Sequence, residues 1–276
     1  MIRLFASIKT MSSITPPDIA SAMKFMGWPV ASSLMDKWAS GSAWPMPAGV
    51  KLGTTSPGAH IDTTLVTVAW LKKFARAAIA YQSAINNALN VPAQKVLRAR
   101  LAAAGWTSGN FSLGSTSLDA KTLDTVCQTN FVQFGSTNDT IDELYGAIGK
   151  GTFKVAVVGR VILTAAKKPV FNVDSLGVYF RDTYDFIDDG WISQPLGVWS
   201  KSRCLSKAET AAYYLEKANR TLNPAARLIP SLFSGFEAVN NGDVCAWRDA
   251  SGKGGDYVIY SDVSWVTPAT AIQVAL

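Results

Sequence analysis

From Lys154 to Leu163 the positions Val155, Val157, Val161 and Leu163 are apolar, while Lys154 and Arg160 fall on the other parity. Period-two polarity in β-branched residues predicts a strand packed on one face. Pro169 interrupts the pattern, since it has no N–H to give a ladder, and Leu176–Asp182 predicts a second strand. Further on, Gln194–Ser200 predicts a short edge strand, Lys207–Asn219 a helix and Gly235–Trp247 another extended run. Gly252-Lys253-Gly254-Gly255 predicts a hairpin turn before a strand from Tyr257 to Val263, and Ile272–Leu276 a terminal edge strand.

Upstream the period changes. Leu71, Phe74, Ala78, Tyr81, Ile85 and Ala88 recur at spacings of three and four, predicting a long helix over 63–90 with Asp62 as its N-cap. Pro16–Asp18 and Pro29 open two short helices, and Pro92 opens another that ends near Gly105. Leu118–Phe134 predicts a third long helix, with a short acidic one over 139–147. The expected fold is therefore α+β: a helical N-terminal half, residues 1–149, followed by a mostly antiparallel sheet over 150–276. The two regions are expected to form one integrated domain, without the βαβ rhythm of a parallel sheet.

Charge sharpens the picture at two places. The 276 residues carry 26 Lys and Arg against 20 Asp and Glu. Between Thr63 and Leu118 stand Lys72, Lys73, Arg76, Lys95, Arg98 and Arg100 with no carboxylate. Such a face could meet phosphates or an anionic membrane, or be a solvated helix surface; no aromatic stacking pattern or nucleic-acid motif accompanies it. The second place is Asp182, Asp185, Asp188 and Asp189, relieved only by Arg181. Asp182 and Asp185 could serve as acid/base pair or ligands of a divalent cation, with Asp256 or Asp262 brought near across the sheet. A solvated loop capped by its own Asp side chains is the competing reading.

Other chemistry is bounded by what is scarce. His60 is the single histidine, which excludes a histidine-rich zinc centre within one chain. Cys127, Cys204 and Cys245 lack metal-ligand spacing and are expected as buried thiols in a reducing compartment. The glycines at 252–255 lack the helix and Lys-Ser/Thr of a phosphate loop, so no cofactor is expected beyond that divalent cation. With no apolar run of membrane-spanning length and no secretory leader, a cytoplasmic product is expected; any export would use a signal-independent, contact-dependent route.

Five phrases carry a resemblance: Met26–Val30, His60–Asp62, Asp142–Ala147, Gly177–Phe186 and Gly254–Val263. Together they resemble a family of uncharacterised proteobacterial proteins associated with type VI secretion genes, over most of the chain from about residue 15. The resemblance implies a part in contact-dependent bacterial competition. A delivered antibacterial effector is the first expectation, and a non-enzymatic adaptor or immunity-type protein the second. The implied partners are the secretion apparatus, a cognate immunity protein or a toxin. The resemblance carries over no activity and no catalytic residue.

Overall fold

A computed structural model describes residues 12–188 and 193–276. In chain order the elements open with α1 (Pro16–Phe25), α2 (Pro29–Ser40), α3 (Ala48–Lys51), β1 (Ile61–Asp62), α4 (Val68–Leu71), α5 (Ala75–Asn86) and α6 (Val91–Ala103). Next come β2 (Phe111–Leu113), α7 (Ala120–Val126), β3 (Gln128–Phe134), α8 (Glu143–Ala147), β4 (Gly151–Leu163) and β5 (Pro169–Tyr184). The chain closes with β6 (Pro195–Trp199), α9 (Lys207–Leu222), a 3-10 turn (Pro224–Leu228), β7 (Glu237–Asn240), α10 (Asn241–Ser251), β8 (Tyr257–Tyr260), β9 (Ser264–Val266) and β10 (Ile272–Ala275).

These elements form two compact units, each drawn from separated stretches. One combines residues up to 56 with 141–147 and 184–257; the other combines 57–140, 148–183 and 258–276.

The second unit is built on a sheet of order β1-β8-β5-β4-β2, with β9 and β10 also pairing β5 and β3 pairing β4. The β1–β8 pair is parallel; β2, β3 and β5 pair β4 antiparallel, as β9 and β10 pair β5. Strands β4 and β5 form a long hairpin whose bulge falls between Val158 and Gly159. A Cβ at Gly159 would stand 2.2 Å from the Asn172 carbonyl oxygen, so the close strand approach there demands glycine. Phe153, Val155, Ala156 and Val157 are all buried, so both faces of β4 are covered.

The expected helical N-terminal half is wrong. Helices and strands are interspersed along the chain, and β1, β2 and β3 come from its first half. Residues 118–134 do not form one helix: α7 stops at Val126, and β3 follows directly. Its β-favouring Phe131 and Val132 gain a ladder along β4, and Phe134 packs on Phe153 with ring centroids 5.2 Å apart. Tertiary pairing overrides the helical period.

The long helix over 63–90 is also broken, into α4 and α5. Asp62 does not cap it; its Oδ1 accepts from the Thr64 and Leu65 N–H groups in a turn after β1. The expected extended run over 235–247 is only β7, after which α10 begins. Gly252 ends α10 in the left-handed region, φ +67°, so 252–255 is a helix C-cap rather than a hairpin.

The first unit gathers around Trp38, fully buried against Phe186 and Trp247. Within it β6 and β7 pair antiparallel, and α9 with the 3-10 turn is inserted between them.

Candidate functional site

The aspartates of the acidic segment, with Asp256 and Asp262, are divided between the two units, and each is described within its own. Asp185 lies in the first unit, ion-paired at 2.7 Å to Lys51 Nζ. Asp256, in the same unit, is fully buried: it accepts from Trp38 Nε1 at 2.7 Å, the Met46 N–H at 2.8 Å and Arg248 Nη1 at 3.1 Å. Burial raises its pKa above the ordinary carboxylate value despite these donors, and the Asp185 charge pushes the same way. With both oxygens engaged, Asp256 clasps α2, the following loop and α10 together.

Asp182 and Asp262 belong to the second unit. Asp182 is half-buried on β5, and Asp262 is exposed, its Oδ1 accepting the Val68 N–H at the head of α4. Asp188 is exposed; Asp189 and Trp191 lie outside the described residues. Among the described residues no group of three His, Cys, Asp or Glu is placed to hold a metal.

The basic helices also divide. Arg76 pairs with Asp139 at 3.2 Å, and Arg98 donates to the Ala275 carbonyl at 2.7 Å. Arg100 donates to the carbonyls of Asp124, Thr125 and Gln128, closing the C-terminal end of α7, where a cation is favourable. Lys72 lies 4.4 Å from the Tyr81 ring centroid. Lys72 and Lys73 remain solvent-facing. Among the described residues no helix is long and apolar enough to cross a membrane.

Two features escaped the sequence reading. The first is a polar clasp on the sheet of the second unit. Asp124 Oδ1 accepts from Lys154 Nζ at 2.7 Å and Tyr179 Oη at 2.8 Å; its Oδ2 accepts from Tyr260 Oη at 3.1 Å, with Arg181 Nε 3.6 Å away. Burial, followed by the Asp124 charge, holds the Tyr179 phenol well above its usual pKa; the same causes put Tyr260 at about 12. Burial also lowers Lys154, against the pull of Asp124. Three hydrogen bonds and the nearby Arg181 guanidinium hold the carboxylate, which pins α7 on the sheet. Tyr179 and Arg181 share one parity of β5, a visible signal, but nothing adjacent in sequence points to Asp124.

The second is the insertion between β6 and β7. Ser206 and Glu209 form a capping box at the start of α9. Arg203 grips Glu209 through two bonds of 3.0 and 2.8 Å, and this pairing lowers the Glu209 pKa to about 2. At the other end, Arg220 donates to the Ala226 and Ile229 carbonyls, while Arg227 donates back to those of Arg220 and Thr221. The two guanidinium groups thus stitch the 3-10 turn onto the end of the helix. A groove of about 480 Å³ runs beside them, with Tyr213, Phe233 and Phe236 as aromatic walls and Lys217 on its rim.

Yet α9, sixteen residues long, has no buried residue. Leu228 and Leu232 are each 88% exposed and Ile229 66%, at the tip of the insertion. The insertion is thus held by bonds from its own side chains to its backbone, while its large apolar side chains face solvent.

No curated protein and no solved structure matches this chain. A family model matches it over residues 15–276, nearly its full length, and its description gives no activity. The chain belongs to that family, DUF6402, a family of unknown function.

Proposed function

We propose that this protein is a non-enzymatic binding protein, of the adaptor or immunity type, that engages a partner protein through the tip of the β6–β7 insertion. The exposed trio Leu228, Ile229 and Leu232 carries the reading. Lys217, Arg220 and Arg227 beside it, against the single carboxylate Glu216, match a partner whose apolar anchor is ringed by Asp and Glu. The resemblance to a family near type VI secretion genes makes a toxin or a part of the secretion apparatus the first partner to test. The alternative of a delivered toxin working through Asp182 and Asp185 has the resemblance as its support, while Asp185 is held in an ion pair with Lys51.

The test combines binding with growth. Products of the neighbouring genes, purified singly, are titrated by calorimetry with the wild-type chain and with Leu232→Glu. A stoichiometric complex weakened at least about tenfold by the substitution, roughly 1.4 kcal/mol, with no growth defect on expression in a second bacterium, supports the reading. Growth inhibition by the chain alone, or an unweakened complex, overturns it.

A further inference from the structure

The outer face of α9 follows a rule that the tip does not. Ala208, Ala211, Leu215, Ala218 and Leu222 are spaced three, four, three and four, the a/d repeat of a coiled-coil seam. All five are exposed, Leu215 at 72% and Leu222 at 85%. The groove side of the helix holds Tyr213, Glu216, Lys217 and Arg220, so the seam points away from it.

Residue size along the seam alternates by position. The a positions are Ala208, Leu215 and Leu222; the d positions are Ala211 and Ala218. Parallel pairing would set Leu on Leu and Ala on Ala, alternating crowded and empty layers. Antiparallel pairing sets each a against a d of the other helix. Leu215 then meets Ala218 and Leu222 meets Ala211, each contact occurring twice about a two-fold axis. Every central layer holds one large and one small side chain, and the small residues let the two helices approach closely. The seam is thus complementary to itself, as an isologous interface requires.

Charge agrees. Beside the central layers, from Ala211 to Leu222, the flanking positions are Ala212, Tyr214, Asn219 and Thr221, none of them ionised at neutral pH; Lys207, the flanking position at the helix start, lies over the Tyr145 ring, 5.5 Å from its centroid. Two copies can close there without like-charge repulsion, although the chain as a whole carries +6. A charged partner would find no complement on these flanks.

We infer that α9 is a homodimerisation helix, pairing antiparallel with α9 of a second copy of this chain and leaving the insertion tip free for the partner proposed above. The inference rests on the seam and stands apart from the reading of the tip.

Light scattering on the eluting full chain at about 100 μM should give the dimer mass, and Leu215→Glu should give the monomer with an unchanged circular dichroism spectrum. Register is read by cysteine pairs. Oxidised Ala211→Cys/Leu222→Cys should run as a covalent dimer, because the two thiols in one helix lie roughly 16 Å apart and cannot join. Leu215→Cys/Leu222→Cys, which would link only a parallel pair, should stay uncrosslinked. Leu232→Glu should remain dimeric, so that loss of partner binding and loss of the dimer are read separately. A monomeric wild type, a dimeric Leu215→Glu or the reversed crosslinking pattern would overturn the proposal.

Discussion

Lys154 on β4 and Tyr179 on β5 are direct cross-strand partners, and both bond one oxygen of Asp124, at 2.7 and 2.8 Å. A helix residue thus locks onto a sheet at a point where two strands are already paired. Removing the carboxylate leaves the Lys154 ammonium half-buried without its counter-charge. Asp124→Ala should cost about 2–3 kcal/mol, at the lower edge of values for broken buried pairs because the clasp keeps some solvent contact. Tyr260→Phe, losing one donor among several, should cost about 1 kcal/mol. Urea unfolding of both variants checks the order.

Burial of phenol and thiol groups sets the alkaline limit. Tyr260 at about 12, with Cys127 and Cys204 each pushed by burial to about 11, retains its proton in the folded state longer than in the unfolded chain. Raised folded values contribute stability that is full below the unfolded pKa and is lost as pH climbs through the folded one. Lys154, lowered, acts oppositely: its penalty shrinks as pH approaches the unfolded lysine value. Two thiols and the raised tyrosines outweigh one lysine, so stability should fall between about pH 9 and 12. A melting series across that range tests it, and Tyr260→Phe should flatten the upper part of the decline.

Buried thiols should also be slow to react. Cys127 and Cys204 should resist a thiol reagent in the native protein, Cys245 should be modified first, and all three should react after unfolding. Fast native labelling of Cys127 would contradict its burial.

Asp256 should prove a structural residue. Asp256→Ala strands Arg248, and the Trp38 and Met46 donors, in an apolar core and should cost at least about 3 kcal/mol. Asp185→Asn, which loses only a pair whose Lys51 side chain is half exposed, should cost under about 1 kcal/mol. Gly254, at φ +97° with a Cβ that would come within 2.5 Å of the Trp38 ring, should tolerate alanine badly, by about 2 kcal/mol or more. Chemical denaturation of the three variants should rank Asp185→Asn as the mildest.

Arg100 and Lys72/Lys73 should separate structure from binding. Arg100→Ala removes the cation that closes α7 and should lower stability by about 1.5 kcal/mol. Any binding to anionic vesicles should depend on Lys72 and Lys73 and weaken with salt. A loss of vesicle binding in a stably folded Arg100→Ala variant, with Lys72→Ala/Lys73→Ala unaffected, would reverse that assignment.

Sequence alone determined elements whose signals are local. Alternating valines made β4, prolines at the first turn opened α1, α2 and α6, and the Ser206–Glu209 box began α9. The heptad spacing on α9 was equally present in the chain, but its meaning depended on exposure, and a core stripe has the same period. Only tertiary structure decided that residues after Val126 pair with β4 instead of extending a helix, because a strand is stabilised by neighbours far away in sequence. For the same reason Asp124, Lys154, Tyr179 and Tyr260 could not be joined by reading along the chain. The density of Asp182–Asp189 was plain in the sequence, yet density says nothing of direction. The fold sends Asp185 to Lys51 and, separately, seals Asp256 beneath Trp38, since a buried carboxylate persists only where donors meet it.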